Sequence, residues 1–133
     1  MASTWTVLVV DDDATTRTLM RSALERLGLI VVDAANGEAG LAAFKKSQAD
    51  LVILDANMPK MNGFEACAAI RRISYGRDIP IIMVTSMADS DSVKQAVAAG
   101  VTDYIAKPVN WAQLSECIRE HLKTPGPVLP ATT

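Results

Sequence analysis

Short apolar runs recur along the chain at nearly even intervals. They begin at Thr6, Leu29, Leu51, Ile79 and Tyr104, and the intervals leave room for one helix after each run. Apolar runs without polar alternation are typical of strands that are buried on both faces, as in a parallel sheet. The pattern therefore predicts five strands, each followed by a helix.

Three of the segments that follow these runs carry apolar residues at the spacing of a helix face. The stripes are Met20, Ala23, Leu24 and Leu27 before Gly28, then Val93, Ala96 and Val97 before Gly100, then Leu114, Cys117, Ile118 and His121 after Asn110. Glycine after such a stripe is typical of a helix C-terminus, and Asn110 is a predicted N-cap. Residues 38–46 and 64–73 are predicted to form the other two helices, with Pro59 and Gly63 in a loop before the second.

A regular alternation of strands and helices predicts an α/β fold with helices on both faces of one parallel sheet. Right-handed crossovers leave few topologies, and the order 2-1-3-4-5 of the doubly wound, flavodoxin-like (βα)5 sandwich is the common one at this size. We expect a single domain over residues 5–123. Residues 124–133 contain Pro125, Pro127 and Pro130 and are predicted to be a disordered tail or the stub of a linker.

Composition and charge narrow the class of protein. Hydrophobic residues make up 50% and charged residues 21% of the 133, a balance typical of a globular protein. Lysine and arginine number 13 against 15 aspartate and glutamate, so the net charge is −2 and no binding surface for nucleic acid is predicted. No apolar run approaches the length of a membrane span and no signal peptide is predicted, so we expect a cytoplasmic protein that does not contact the membrane.

The cysteines and the histidine offer little chemistry in the sequence. Cys67 and Cys117 are too few for a disulfide framework and lack the spacing of a metal site, so both are expected to be reduced and buried. His121 stands alone on the last predicted helix, where a cation suits the helix dipole. No metal-binding or phosphorelay role is expected for it.

Most of the chemically capable side chains come directly after the predicted strands. Asp11 and Asp12 follow the first strand, Asp55 ends the third, Thr85 ends the fourth and Lys107 ends the fifth. In an open α/β sheet the ligand crevice lies beyond the carboxyl ends of the strands, where the strand order reverses. We therefore expect these five side chains to converge on one cleft.

Electrostatics limits what such a cleft can hold. Two carboxylates about 4 Å apart repel each other by roughly 4 kcal/mol at an effective dielectric constant near 20. Three of them need a cation or raised pKa values, and oxygen ligands without histidine or cysteine favour Mg²⁺. A metal ion, an ammonium group and a hydroxyl around a carboxylate are suited to phosphoryl chemistry, with the carboxylate as a candidate covalent acceptor. These considerations do not identify which aspartate is the nucleophile.

Four motifs in the chain resemble those of a known family when they are taken together and in order. They are VLVVDDD at 7–13, LDANMPKMNG at 54–63, VTS at 84–86 and YIAKP at 104–108. The chain from about Trp5 to Leu122 is similar to the receiver domain of two-component response regulators, the CheY-like domains. Each motif alone would be a weak signal, whereas four in the expected order are a strong one.

The resemblance implies a role for each acidic residue of the cleft. Asp55 matches the phosphoacceptor, whose carboxylate attacks a phosphoryl donor to form an aspartyl phosphate. Asp12 matches a direct Mg²⁺ ligand and Asp11 one that holds the ion through water, while Asn57 matches the residue that lends its backbone carbonyl. Asp13 is expected to be the N-cap of the first helix rather than a ligand.

The remaining motif residues match groups that bind the phosphoryl oxygens or respond to them. Lys107 matches the lysine that pairs with the phosphoryl group, and the family commonly holds the following bond to Pro108 in the cis form. Thr85 matches the switch hydroxyl, and Tyr104 matches the aromatic switch residue coupled to it. Ser86 replaces the alanine or glycine usual in the family and is small enough to leave phosphate access.

The resemblance implies a phosphorylation-controlled binding module that catalyses only its own phosphorylation and dephosphorylation. A sensor histidine kinase or histidine phosphotransfer protein would be the donor, and phosphorylation would reshape the surface of helix four, strand five and helix five for a downstream protein or a fused output domain. Asn110 and Trp111, with the proline-rich end, resemble receivers joined to cyclic-dinucleotide enzymes. Both a stand-alone regulator and a receiver excised from a larger protein stay open. The alternatives are a degenerate module that binds partners without phosphorylation and a small Mg²⁺-dependent aspartyl phosphohydrolase.

Overall fold

The structure, a computed structural model, describes residues 5–86 and 89–122. In chain order the elements are β1 (Thr6–Val10), α1 (Ala14–Glu25), β2 (Ile30–Ala34), α2 (Gly37–Ser47), β3 (Leu51–Leu54), α3 (Gly63–Arg71), a short 3₁₀ turn (Ser74–Gly76), β4 (Ile81–Thr85), α4 (Ser90–Ala99), β5 (Asp103–Ala106) and α5 (Trp111–His121). The tail predicted for residues 124–133 lies outside the described residues. Within the described part of the chain, every helix is too short or too polar to cross a bilayer.

The five strands form one parallel sheet in the order β2-β1-β3-β4-β5, which confirms the predicted topology. β1 lies near the middle, with Val7 paired to Val31 on one side and to Leu51 on the other. β4 begins two residues later than predicted, after Pro80. Proline has no N–H to donate, so it suits the position before a central strand better than a place within it.

Two main hydrophobic layers cover the sheet because successive strand residues point to opposite faces. On one face, Val7 and Val9 of β1 pack with residues of α1 and α5 such as Leu24 and Ile118. On the other face, Leu8 and Val10 pack with residues of α2 and α3. Both cysteines are buried and free, as predicted.

Two helix ends depart from the sequence prediction. α1 ends at Glu25 with Arg26 as its C-cap, so Gly28 lies beyond the cap, in the left-handed region at a φ of 84°. Gly63 was predicted to lie in a loop but is the first residue of α3, directly after the N-cap Asn62. By contrast, Gly100 is the C-cap of α4 at a φ of 95°, as its position after the apolar stripe predicts.

α4 presents a different face to the core from the one that its sequence predicts. The stripe of Val93, Ala96 and Val97 was expected to be buried, but Val97 is 72% exposed and Val93 39% exposed. The buried residues of the helix are Ser92 and Ala96. The side of α4 against the sheet therefore carries small side chains, and its two valines face outward.

Candidate functional site

Carboxylates from two neighbouring strands meet one lysine at the carboxyl end of the sheet. Asp11 follows β1 and Asp55 follows β3, and both are almost fully buried. The Lys107 ammonium group, from the loop after β5, lies 3.2 Å from Oδ2 of Asp11 and 3.8 Å from Oδ1 of Asp55. The convergence follows from the strand order, because β1 and β3 are adjacent and their carboxyl ends share one edge.

Asp12 completes a cluster of three carboxylates. Asp11, Asp12 and Asp55 each offer an oxygen within 4.8 Å of the others, and Asp12 is exposed while the other two are buried. All of these donors are carboxylate oxygens, the ligand type that Mg²⁺ prefers, and the open side at Asp12 leaves room for the waters that this ion retains. The donor set therefore fits a magnesium ion.

Local hydrogen bonds hold Asp11 in place. Its Oδ1 accepts from the backbone N–H of Asp13 at 2.8 Å, and its backbone carbonyl accepts from the guanidinium of Arg17 at 2.8 Å. Asp13 in turn caps α1 through the backbone N–H of Thr16, in agreement with its predicted N-cap role. The first turn of α1 thus anchors the carboxylate nearest to Lys107.

The pKa of Asp55 lies above the ordinary aspartate value of 3.8, mainly because burial disfavours the charged carboxylate. The positive charge of Lys107 acts in the opposite direction, whereas the negative charge of Asp11 adds to the rise. The backbone N–H of Asn57 also hydrogen-bonds the Asp55 carboxylate and favours its charged form. Asp55 is thus a carboxylate held at an electrostatic cost that a bound cation would relieve.

We expect Asp55→Asn to raise the stability of the chain at neutral pH when a chelator is present. A carboxyl whose pKa is higher in the folded state destabilises that state progressively as the pH rises from 3.8 through the raised value, because the unfolded chain loses its proton first. The amide carries no charge, so its advantage is fully present above this window and vanishes below it. A gain on the order of 1 kcal/mol in the free energy of unfolding, measured by urea denaturation at several pH values, would agree with this account.

Asp12→Asn is the matched control, since it removes a carboxylate of the same cluster from an exposed position. Its gain should be smaller because little burial cost is relieved. Equal gains for the two variants, or a gain for Asp55→Asn that persists below pH 3.8, would contradict burial as the main cause.

The other predicted site residues lie around the same edge. The buried Thr85 ends β4, and its carbonyl accepts a hydrogen bond from the backbone N–H of Lys107 at 2.8 Å. Ser86 follows and is exposed. The peptide bond between Lys107 and Pro108 is cis. A backbone hydrogen bond therefore ties the end of β4 to Lys107, whose ammonium group reaches Asp11 and Asp55.

Tyr104 lies on β5, and its ring packs against a small cluster that includes Phe64, Met83 and Ala96. Its hydroxyl oxygen is buried and has no hydrogen-bond partner among the described residues. Burial raises the pKa of Tyr104, and the negative charge of Asp89 adds to the rise. The tyrosine is thus packed beside α4, while its predicted switch role stays a prediction.

Gly63 supports the site in a way that sequence analysis missed. A methyl group on Gly63 would overlap the carbonyl oxygen of Asp55 and lie 2.8 Å from Cα of Ala56. Only glycine lets the start of α3 approach the loop after β3 so closely. The sequence did carry a signal for this helix start: Gly63 directly follows Asn62, and asparagine is a favoured N-cap residue.

Comparison with known families and proteins gives consistent results. The family model described as "Response regulator receiver domain" matches residues 7–119. A "Probable transcriptional regulator ycf27" of Porphyridium aerugineum is 38% identical over 117 residues, which are 88% of this chain and 48% of that protein. The chain spans about half the length of the first curated relatives that it matches.

Solved structures of similar proteins share the fold over nearly the whole chain. The chemotaxis protein CheY4 of Vibrio cholerae superposes with a TM-score of 0.87 at 33% identity, covering 90% of this chain and 100% of that one. The receiver domain of the sensor histidine kinase PA1611 from Pseudomonas aeruginosa has a TM-score of 0.85 at 27% identity, covering 92% and 100%. That structure is described with a magnesium ion coordinated in its active-site cleft.

Proposed function

Because this chain belongs to the family of response regulator receiver domains, we propose that Asp55 is its phosphoacceptor and that phosphorylation of Asp55 controls partner binding. The receiver would span residues 5–123. It would take a phosphoryl group from a phosphohistidine of a sensor histidine kinase or a histidine phosphotransfer protein. It would catalyse only its own phosphorylation and dephosphorylation.

The position of Lys107 carries this proposal. Its ammonium group lies between Asp11 and Asp55, at 3.2 and 3.8 Å from their carboxylate oxygens. A carboxylate alone repels an anionic donor, and an adjacent ammonium group offsets that repulsion where the phosphoryl oxygens arrive. A salt bridge that serves only to stabilise the fold needs one carboxylate for the lysine, whereas here oxygens of Asp11, Asp12 and Asp55 lie within 4.8 Å of one another.

The cluster would hold Mg²⁺ through Asp11, Asp12 and Asp55, together with the backbone carbonyl of Asn57. When bound, the ion would neutralise charge on the phosphoryl group during transfer. The raised pKa of Asp55 supports a site in which the carboxylates await a cation, since burial and Asp11 both penalise the charged form.

In the transfer, an oxygen of Asp55 would attack the phosphorus of the phosphohistidine. A phosphorus–oxygen bond forms as the phosphorus–nitrogen bond breaks, and the electron pair of that bond leaves with the imidazole of the donor. Lys107 would pair with the phosphoryl oxygens, and the Thr85 hydroxyl would donate a hydrogen bond to them. Ser86 is small and exposed, which would leave the approach of the donor to the attacking oxygen of Asp55 open.

The signal would pass from Thr85 to the surface formed by α4, β5 and α5. Tyr104 lies on β5, the strand that pairs with the strand of Thr85, and is packed with Ala96 of α4. A movement of Thr85 toward the phosphoryl group would free space behind it for the Tyr104 ring, and the surface would change shape. The partner that binds this surface would be a downstream protein or a fused output domain, with a cyclic-dinucleotide enzyme as one candidate.

The direct test is the intact mass of the wild-type chain after incubation with acetyl phosphate, with Mg²⁺ or with a chelator. We expect the mass to increase by one phosphoryl group in Mg²⁺ and not to change in the chelator. Consumption of acetyl phosphate should be followed in the same samples, because a short-lived adduct would appear as acetate release without a mass change.

Other results would move the chain to a different function. If neither an adduct nor consumption of the donor is observed, the result would favour a degenerate module that binds partners without phosphorylation. Repeated turnover of an aryl phosphate would favour a phosphohydrolase. An adduct of equal yield in the chelator would contradict the proposed Mg²⁺ site while leaving the phosphoacceptor in place.

A further inference from the structure

A second cluster of ligand-type side chains lies at the opposite end of β5 from Lys107. Asp103 is the first residue of β5, and its Oδ2 accepts a hydrogen bond from the thiol of Cys117 at 3.1 Å. Nε2 of His121 lies 3.5 Å from the same oxygen. One ligand atom from each of the three residues falls within 4.8 Å of the others. His121 therefore lies beside a carboxylate and a thiol, a grouping that the sequence did not predict.

We propose that Asp103, Cys117 and His121 form a binding site for Zn²⁺ or a similar borderline-soft divalent ion, independent of the phosphoacceptor site. A thiolate, an imidazole and a carboxylate are the three ligand types that zinc uses in proteins. The distances from Oδ2 of Asp103 to Sγ of Cys117 and to Nε2 of His121, 3.1 and 3.5 Å, are of the size of the ligand-to-ligand distances around one tetrahedral ion. Thiolate and imidazole disfavour Mg²⁺, so the two sites would select different ions.

The backbone arrangement suits a fixed site. Cys117 and His121 are four residues apart on α5, so their side chains lie on the same face in successive turns. Asp103 comes from the strand against which this face packs, since Ile105, two residues further along β5, lies in the same hydrophobic layer as Cys117. Two regular elements would therefore hold the three ligands, rather than a loop.

The surroundings supply access for an ion. The side chain of Asp103 is 46% exposed and that of His121 is 27% exposed. A cavity beside the cluster is lined by Asp103 and Cys117 together with Gln113, Glu116 and Glu120. The two glutamates would attract a cation electrostatically, and Glu120 or a water molecule could take the fourth coordination position.

Binding would exchange a proton for the ion. The Cys117 thiol would lose its proton to the solvent as the metal–sulfur bond forms, and Asp103 would exchange the thiol hydrogen bond for the metal. Only an ion that binds thiolate strongly would displace this proton, which strengthens the selection against Mg²⁺.

The test is a titration of the whole chain with Co²⁺, which replaces Zn²⁺ and gives a near-ultraviolet charge-transfer band when a thiolate coordinates it. Saturating Mg²⁺ is kept in all samples so that the carboxylate cluster near Lys107 does not contribute. We expect the band to appear in the wild-type chain and to disappear when Zn²⁺ is added. A wild-type chain without the band would overturn the proposal.

Single substitutions assign the ligands. Cys117→Ser should remove the band, and His121→Ala, a change at a partly exposed position, should weaken Co²⁺ binding at least tenfold. Cys67→Ala is the matched control, because Cys67 is a buried cysteine outside the cluster. It lies on α3, and its thiol donates a hydrogen bond to the backbone carbonyl of Ala99. This control should keep the band. Unchanged affinity in His121→Ala, or loss of the band in Cys67→Ala alone, would contradict the three-residue site.

Discussion

Asp55→Ala is expected to abolish phosphoryl uptake from acetyl phosphate, reducing the adduct at least ~100-fold, as removal of a covalent nucleophile commonly does. The other two carboxylates of the cluster are poor substitutes. Oxygens of Asp11 are engaged by Lys107 and by the N–H of Asp13. Asp12 is exposed to solvent, and among residues 5–86 and 89–122 no ammonium group pairs with it as Lys107 pairs with Asp55.

Intact mass after incubation in Mg²⁺ measures this loss, and a thermal unfolding curve checks that the variant is folded. Asp78→Ala is the control, since Asp78 is an exposed carboxylate in the loop before β4. Its adduct should equal that of the wild-type chain. Should the adduct persist in Asp55→Ala, peptide mapping would locate it on another residue, and Asp55 would lose its proposed role.

Gly63→Ala should destabilise the chain strongly, by about 3 kcal/mol or more, at the upper end of the range for overpacked positions. The added methyl group would meet backbone atoms of Asp55 and Ala56, which cannot rotate away as a side-chain end can. The start of α3 or the loop after β3 has to move. A fall in Tm on the order of 10 °C is expected for a chain of this length.

Gly100→Ala separates this effect from the general cost of replacing a glycine. Gly100 has a φ of 95°, and its nearest contacts are side-chain atoms of Arg71 at 3.2 Å. A loss of about 1 to 2 kcal/mol, the cost of the left-handed conformation, is expected there. If Gly63→Ala cost no more than Gly100→Ala, the close approach of α3 to Asp55 would not be a constraint on the fold.

The sheet was predictable largely because its central strands β1, β3 and β4 are short and almost entirely apolar. Leu51 to Leu54 has no polar residue, which is typical of a strand covered on both faces. Once five such runs alternate with helices, the handedness of the crossovers nearly determines the order. The convergence of Asp11, Asp55 and Lys107 then follows, because all three come directly after strands.

Helix orientation was harder to predict. The stripe of Val93, Ala96 and Val97 has the period of a buried face, yet the helix turns Ser92 and Ala96 inward. Periodicity reports that a face is apolar but not which surface covers it. A helix face that binds a partner and one that binds the core have the same period.

Contacts between residues that are distant in sequence also could not be predicted from the pattern of apolar and polar residues. Cys117 and His121 were seen as part of one stripe, but their meeting with Asp103 depends on how α5 crosses β5. Likewise, the closeness of Gly63 to Asp55 depends on the entry angle of α3. Spacing along a helix is readable from sequence, whereas the partner across the interface depends on packing geometry.

The small side chains under α4 bear on how readily this helix changes position. α1 is anchored by Met20 and Leu24, each worth about 1.5 to 3 kcal/mol when fully buried, whereas α4 buries only Ala96 and Ser92. An element with so little apolar burial lies at the low end of local stability. The free energy that would hold such a helix in place is small, of the size that one charge-assisted hydrogen bond contributes, roughly 1.5 to 3 kcal/mol. A free-energy change of that size alters a population ratio by about ten- to a hundred-fold.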